Sequence, residues 1–166
     1  MRLSSPDDEP VLKLVETRLR SRATQQGTAL HGPEAAAAIL HELIGMSDRE
    51  EFVALLLDTR HRVTRVHKVS RGNLGSTQVH PREVFKAAIL ANASALVVGH
   101  NHPSGDPQES MDDKNVTQRL REAGKLLGIE VLDAIIVTPQ GVYFTASAGT
   151  LGQVRPLRAK EVADGP

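Results

Sequence analysis

Apolar residues recur along this chain at two spacings, every second position or every third to fourth, and the alternation of the two predicts its elements. Leu12, Val15 and Leu19 stand at helical spacing among Arg18, Arg20 and Arg22, which read as a solvated helix face rather than a phosphate-binding patch. Pro33 suits a first helical position, and the Ala-rich stretch from Ala35 to Leu43 predicts a helix ending near Gly45. Phe52 to Leu57 is the most apolar run and predicts a central strand. Asp58 to Arg62 is a turn, after which Val63 to Val69 alternates apolar with basic residues, the pattern of a half-exposed antiparallel partner.

Ser70 to Ser76, with Gly72 and Gly75, reads as a flexible connection. Pro81 and Glu83 open a second helix whose apolar face is Val84, Ala87, Ala88 and Ala91. A short buried strand follows from Ala93 to Val98, then a helix from Asp112 to Leu127 stopped by Gly128. Ile129 to Val137 is another buried strand, turned by Pro139-Gln140-Gly141 into Val142 to Thr145. From Gly149 the composition turns polar, so 151–166 reads as a tail, 1–29 as a polar segment with a short helix, and 30–150 as the domain. The order predicts an α/β fold with a mixed β-sheet sandwiched by helices.

One stretch has no explanation in packing alone. His100 and His102, two apart at the end of a buried strand, project to the same side of extended backbone. Pro103, Gly105 and Pro107 force an irregular turn, and the next helix carries Ser110 and Asp113 on one face of its first turn. Two imidazoles and a carboxylate so arranged are three ligands for a catalytic zinc with the fourth position open. Ser110 and Asp113 equally describe a capped helix start, and the two readings are compatible.

Composition narrows the alternatives. The chain of 166 residues fits one domain with a real core, and its 20 basic and 20 acidic residues cancel, so the bulk charge calls for neither nucleic acid nor anionic membrane. With no cysteine, a metal site here must use His and carboxylate. No Trp, one Tyr and three Phe supply few stacking platforms for single-stranded nucleic acid. No apolar run has the length of a membrane span or the character of a signal peptide, so no membrane partner is expected and the chain reads as cytoplasmic.

His100-x-His102, seven residues, then Ser110 and, after two more, Asp113 resembles the JAMM motif of JAB/MPN metallopeptidase-like domains. The flanking Asn101, Pro103-Ser104-Gly105-Asp106-Pro107, the stretch Val79 to Phe85 and Ser70-Arg71-Gly72 are similar to the RadC family, over residues 30 to 150. The resemblance implies the JAB/MPN (cytidine-deaminase-like) architecture, one Zn2+ per chain on His100, His102 and Asp113, and hydrolysis of a peptide or isopeptide bond in a protein or peptide substrate. It implies a Glu general base upstream of the histidines. Glu50 and Glu51 face opposite ways on extended chain, so only one reaches the site. The spacing Arg49-Glu50-x-Phe52 favours Glu50, and a Glu directly before the apolar strand favours Glu51. Ser110 is expected to serve the oxyanion or orient the water.

Two departures are visible. The residues before about 30 are too few and too polar for the helix-hairpin-helix segment of longer RadC proteins. The family tends to have Leu-Asp-His where this chain has Leu132-Asp133-Ala134, which removes a candidate supporting His. Alternatives to hydrolysis are a DNA-repair-associated accessory protein, contacting nucleic acid through Arg60, Arg62, Arg65, Lys68 and Arg71, and a metal-stabilised interaction module without catalysis. Asp112 faces away from Asp113 on the helix and is not assigned to the metal. Asp106, Arg82 and Glu83 read as turn or helix-cap residues, and His31, His41, His61, His67 and His80 as surface or core-edge donors.

Overall fold

The computed structural model describes residues 27–72 and 79–155. The helix expected around Leu12 to Leu19, most of the connection before Val79 and the last part of the tail lie outside them. The elements are β1 (Thr28–Ala29), α1 (Pro33–Leu40), a π-helical turn (His41–Gly45), β2 (Glu51–Leu57), β3 (Arg62–Arg71), α2 (Pro81–Leu90), β4 (Ala95–Asn101), α3 (Met111–Leu127), β5 (Glu130–Val137), β6 (Val142–Thr145) and β7 (Thr150–Gln153). They build one seven-stranded sheet in the order β1-β3-β2-β4-β5-β6-β7. Every pairing is antiparallel except β4 with β5, which α3 joins by a crossover.

Helices cover both faces, as the unbroken apolar runs of the central strands require. Val53, Leu55, Leu57, Ala95 and Val97 pack with Ala36, Ala37 and Leu40 of α1. Phe52, Ala54, Leu56, Leu96 and Val98 pack on the other face with Val84, Phe85 and Ala88 of α2 and Leu120 of α3. The strands β2 and β4 are buried along their whole length, which explains their unbroken apolar runs. Gly99 lets α1 approach β4: a Cβ there would collide with the Leu40 side chain and lie 3.1 Å from the Ile135 carbonyl oxygen.

Three features differ from the sequence pattern. Residues 150–153, read as the start of a tail, form the edge strand β7, with Tyr143 paired to Gly152 and Thr145 to Thr150. Its residues are largely exposed and carry no burial signal, because the pairing itself is made by backbone groups. The two-residue strand β1, beginning before residue 30, pairs with β3 in the same way. In β5 the pairing to β4 skips a residue: Leu96 pairs with Val131, but Val97 pairs with Asp133. This bulge puts Leu132 and Asp133 on the α1 side and returns Ala134 to the α2–α3 side.

Candidate metal centre

Alternation along β4 divides its end between the two faces. Leu96 and Val98 lie on the α2–α3 face, and His100 continues that row, its ring stacked on Phe52 at 6.0 Å with an interplanar angle of 11°. His102 follows just beyond the strand, held in line by its N–H to the Val137 carbonyl at 2.9 Å. Its Nδ1 donates to the carbonyl oxygen of Asp106 at 2.7 Å. A carbonyl only accepts, so the proton sits on Nδ1 and Nε2 is turned toward the site.

The third group comes from α3. Ser110 is its N-cap, and Asp113 stands at the third helical position in a complete capping box. Ser110 Oγ accepts from Asp113 N–H at 3.1 Å, while Asp113 Oδ2 accepts from Ser110 N–H at 2.8 Å and from Ser110 Oγ at 2.7 Å. The cap therefore fixes the Asp113 carboxylate, and the helix N-terminus favours its charge. At the other end Gly128, at φ 69°, closes the helix in the left-handed region.

These elements bring the three ligand atoms together. His100 Nε2 and His102 Nε2 are 2.9 Å apart, His100 Nε2 and Asp113 Oδ1 are 3.1 Å apart, and His102 Nε2 and Asp113 Oδ2 are 3.6 Å apart. Tetrahedral ligands at zinc bond lengths of about 2.0–2.1 Å are separated by roughly 3.3 Å, so the donor set fits such an ion. Two imidazole nitrogens this close also require a proton or a cation between them, since two lone pairs repel. Among the described residues no other group of three His, Cys, Asp or Glu converges in this way.

The electrostatics follow from the packing. Burial disfavours ionised Asp113, yet contacts with both imidazoles and Ser110 outweigh it and hold the carboxyl far below its ordinary range. Burial likewise disfavours a charged His102, but Asp113, the Asp106 carbonyl and the charge of Glu50 together raise its pKa. Glu109, partly buried beside this cluster, is pushed up by burial first and by Asp113.

The two upstream acids separate by face. Glu51 is buried on the α1 side, where its carboxylate accepts from Ser47 Oγ at 2.8 Å and Lys68 Nζ at 3.0 Å, with Arg71 Nε at 3.8 Å. Glu51, the alternative base, is thus engaged with Ser47, Lys68 and Arg71 on the other face of the sheet from the metal cluster. Glu50 lies two residues before Phe52, whose ring packs against His100, and its charge acts on His102.

Other sequence-predicted residues have structural partners. His80 Nδ1 caps α2 by accepting from Arg82 N–H at 3.2 Å, and Glu83 pairs with Lys86 at 2.7 Å. Of the hairpin cations, Arg62 pairs with Asp58, Lys68 and Arg71 with Glu51, and Arg65 donates to the Thr64 carbonyl. Asp133 is buried away from the site, accepting from Thr145 Oγ1, Ser147 Oγ and Ser147 N–H. Ala134, with Phe52, Val98, His100, Asp113 and Val116, lines a small apolar recess beside the cluster. The carbonyl of Asp106 carried no sequence signal, because any residue supplies one.

A mixed sheet with helices on both faces and a His-x-His…Asp cluster at the end of its central parallel pair defines a JAB domain, and the family description RadC-like JAB domain matches residues 30–150. The chain belongs to the RadC family. Among its relatives, a UPF0758 protein of Desulforudis audaxviator is 55% identical over 105 residues, 63% of this chain and 46% of the relative. A UPF0758 protein of Syntrophotalea carbinolica is 44% identical over 125 residues, 75% of this chain and 55% of the relative. One from Alkaliphilus oremlandii is 46% identical over 116 residues, 70% and 50% of the two chains. The chain spans about half the length of these relatives. No helix among the described residues is long and apolar enough to cross a membrane.

Proposed function

We propose that the chain is a JAMM-type, zinc-dependent hydrolase of a peptide or isopeptide bond, with one zinc held by His100, His102 and Asp113. The observation that carries this reading is the convergence of one ligand atom from each residue, all within 4.8 Å of one another. Two imidazoles and one carboxylate with an open position suit zinc better than magnesium or calcium, which take oxygen ligands. When bound, the ion supplies a Lewis acid and lowers the pKa of water at the open position.

The chain's own groups do the rest. Amide hydrolysis needs a proton taken from water and returned to the leaving amine, and Glu50, on the histidine face, is the carrier. Ser110 Oγ, now donating to Asp113, supplies a donor to the developing oxyanion once it turns from the carboxylate. Asp106 keeps the His102 ring in its ligating tautomer through the backbone contact. The Phe52 ring and the neighbouring apolar recess limit water around His100 and raise the strength of the charges there.

The test is elemental analysis of the protein beside His102→Ala, followed by a peptide-library cleavage screen on the same two samples. The reading expects zinc in the parent, little in the variant, and cleavage by the parent alone. Zinc without cleavage in the parent would make the domain a metal-stabilised module instead.

A further inference from the structure

Between the two histidines stands a residue that faces the other way. Asn101 is fully buried, at 0% exposure, on the α1 side of β4. Its Oδ1 accepts from the Glu51 backbone N–H at 2.7 Å, and its Nδ2 donates to the carbonyl oxygens of Ser47 at 3.3 Å and Arg49 at 2.9 Å. All three bonds go to one short segment, 47–51, which runs from the π-helical turn into β2 and has no regular structure before Glu51. That segment carries Glu50.

We propose that Asn101 is the positioning residue of the site, clamping the backbone of 47–51 so that the Glu50 carboxylate is held at a fixed distance from His100 and His102. This rests on the reading of Glu50 as the general base. Because Asn101 is covalently between the two histidines, its clamp ties base and ligands into one rigid unit, and a displacement of either moves both. Other tethers act on the segment too: Gly72 N–H donates to the Glu50 carbonyl at 2.9 Å, Ser47 N–H to the Ile44 carbonyl at 3.1 Å, and the Glu51 carboxylate engages Ser47 Oγ, Lys68 and Arg71. Asn101, however, holds three of its backbone groups from one side chain. The chemistry of the position selects an amide. Only Asn offers an acceptor for one N–H and donors for two carbonyls at this reach, whereas Asp would set a carboxylate against two carbonyl oxygens. A buried amide is also costly unless every partner is present, which makes the arrangement two-sided: the loop satisfies Asn101 as Asn101 orders the loop.

The test compares Asn101→Ala and Asn101→Asp, alone and combined with Glu50→Gln, in the zinc-loaded protein with the best-cleaved library peptide. Asn101→Ala is expected to lower kcat by roughly a hundredfold with little change in KM or zinc content. In the Glu50→Gln background the same substitution should cost almost nothing further, because the group it positions is already lost. Asn101→Asp, isosteric, keeps the acceptor for Glu51 N–H but turns an oxygen toward the two carbonyls, so it should lower kcat as well, and it serves if the alanine variant does not fold. Amide hydrogen exchange of the metal-free protein gives a second, activity-independent readout: Glu51 N–H should lose protection in Asn101→Ala and keep it in Asn101→Asp, whose side-chain oxygen still accepts from it. Additive losses with Glu50→Gln, or unchanged Glu51 protection in Asn101→Ala, would overturn the clamp. A parent that cleaves no peptide would sink the hydrolase reading alone, with the exchange result still deciding whether Asn101 fixes the segment.

Discussion

The Nδ1 atom of His102 and the carbonyl oxygen of Asp106 are 2.7 Å apart, so a backbone group four residues downstream decides which nitrogen of a site histidine bears its proton. The contact depends on the turn at Gly105, where φ is 86° and a Cβ would lie 3.0 Å from Gln140 Oε1. Gly105→Ala is expected to shift the carbonyl and weaken zinc affinity roughly tenfold, the lower end of effects seen when ligand-supporting contacts are disturbed. A competitive chelator titration measures this. Wild-type affinity in the variant would show that the carbonyl does not set the ring.

Zinc that binds the folded chain and not the unfolded one raises its stability, by about 2.7 kcal/mol at a free concentration a hundred times Kd. Thermal unfolding with and without zinc should show a corresponding rise in Tm, reversed by chelator and absent in His100→Ala and Asp113→Asn. An equal shift in those variants would place the binding elsewhere.

Ser110 has a structural duty separable from its proposed chemical one. Ser110→Ala removes the N-cap acceptor of α3 and is expected to cost about 1 kcal/mol in denaturant unfolding. Zinc affinity should fall as well, since Asp113 Oδ2 loses the Oγ donor. Ser110→Asp keeps the cap without that donor; if its stability recovers while cleavage stays low, the two duties are distinct, and if both recover, the hydroxyl is only a cap.

Glu51 makes stability depend on acid. Burial opposes its charge, but hydrogen bonds from Lys68 and Ser47 and the nearby Arg71 outweigh it, so its folded pKa lies below the ordinary 4.5. The unfolded chain therefore takes up a proton first as pH falls. This contribution is complete above about pH 4.5 and disappears as pH drops through the lowered folded value. Glu51→Gln is expected to cost about 1 kcal/mol at neutral pH and to flatten the acid limb of the stability curve. An acid limb as steep as in the parent would assign the dependence to other carboxylates.

Much of the site was legible because it follows from alternation and helix geometry. His100 and His102 share a side for the same reason that Leu96 and Val98 do, and Ser110 with Asp113 is a recognisable helix start. The face of each upstream acid was not legible, since Glu50 and Glu51 differ by one position and only the pairing of β2 with β3 and β4 sets the phase. Asp133 is a similar case: the bulge at Leu132 reverses the phase of β5 midway, and no residue type announces it. The edge strand β7 was hidden for another reason, because Leu151 is exposed at 58% and its pairing is made by backbone groups common to every sequence.

The opposed facing of Asn101 and its two neighbours sets a rule on chain length. A single residue inserted or deleted in β4 would rotate the strand end by half its repeat, sending the amide among the ligands and the imidazoles into the oily layer under α1. Changes of two residues would keep each side chain on its own face. Length variation through this strand is therefore restricted to even steps, while the turn from Pro103 to Glu109, which answers to no such parity, is free to vary once its carbonyl reaches His102.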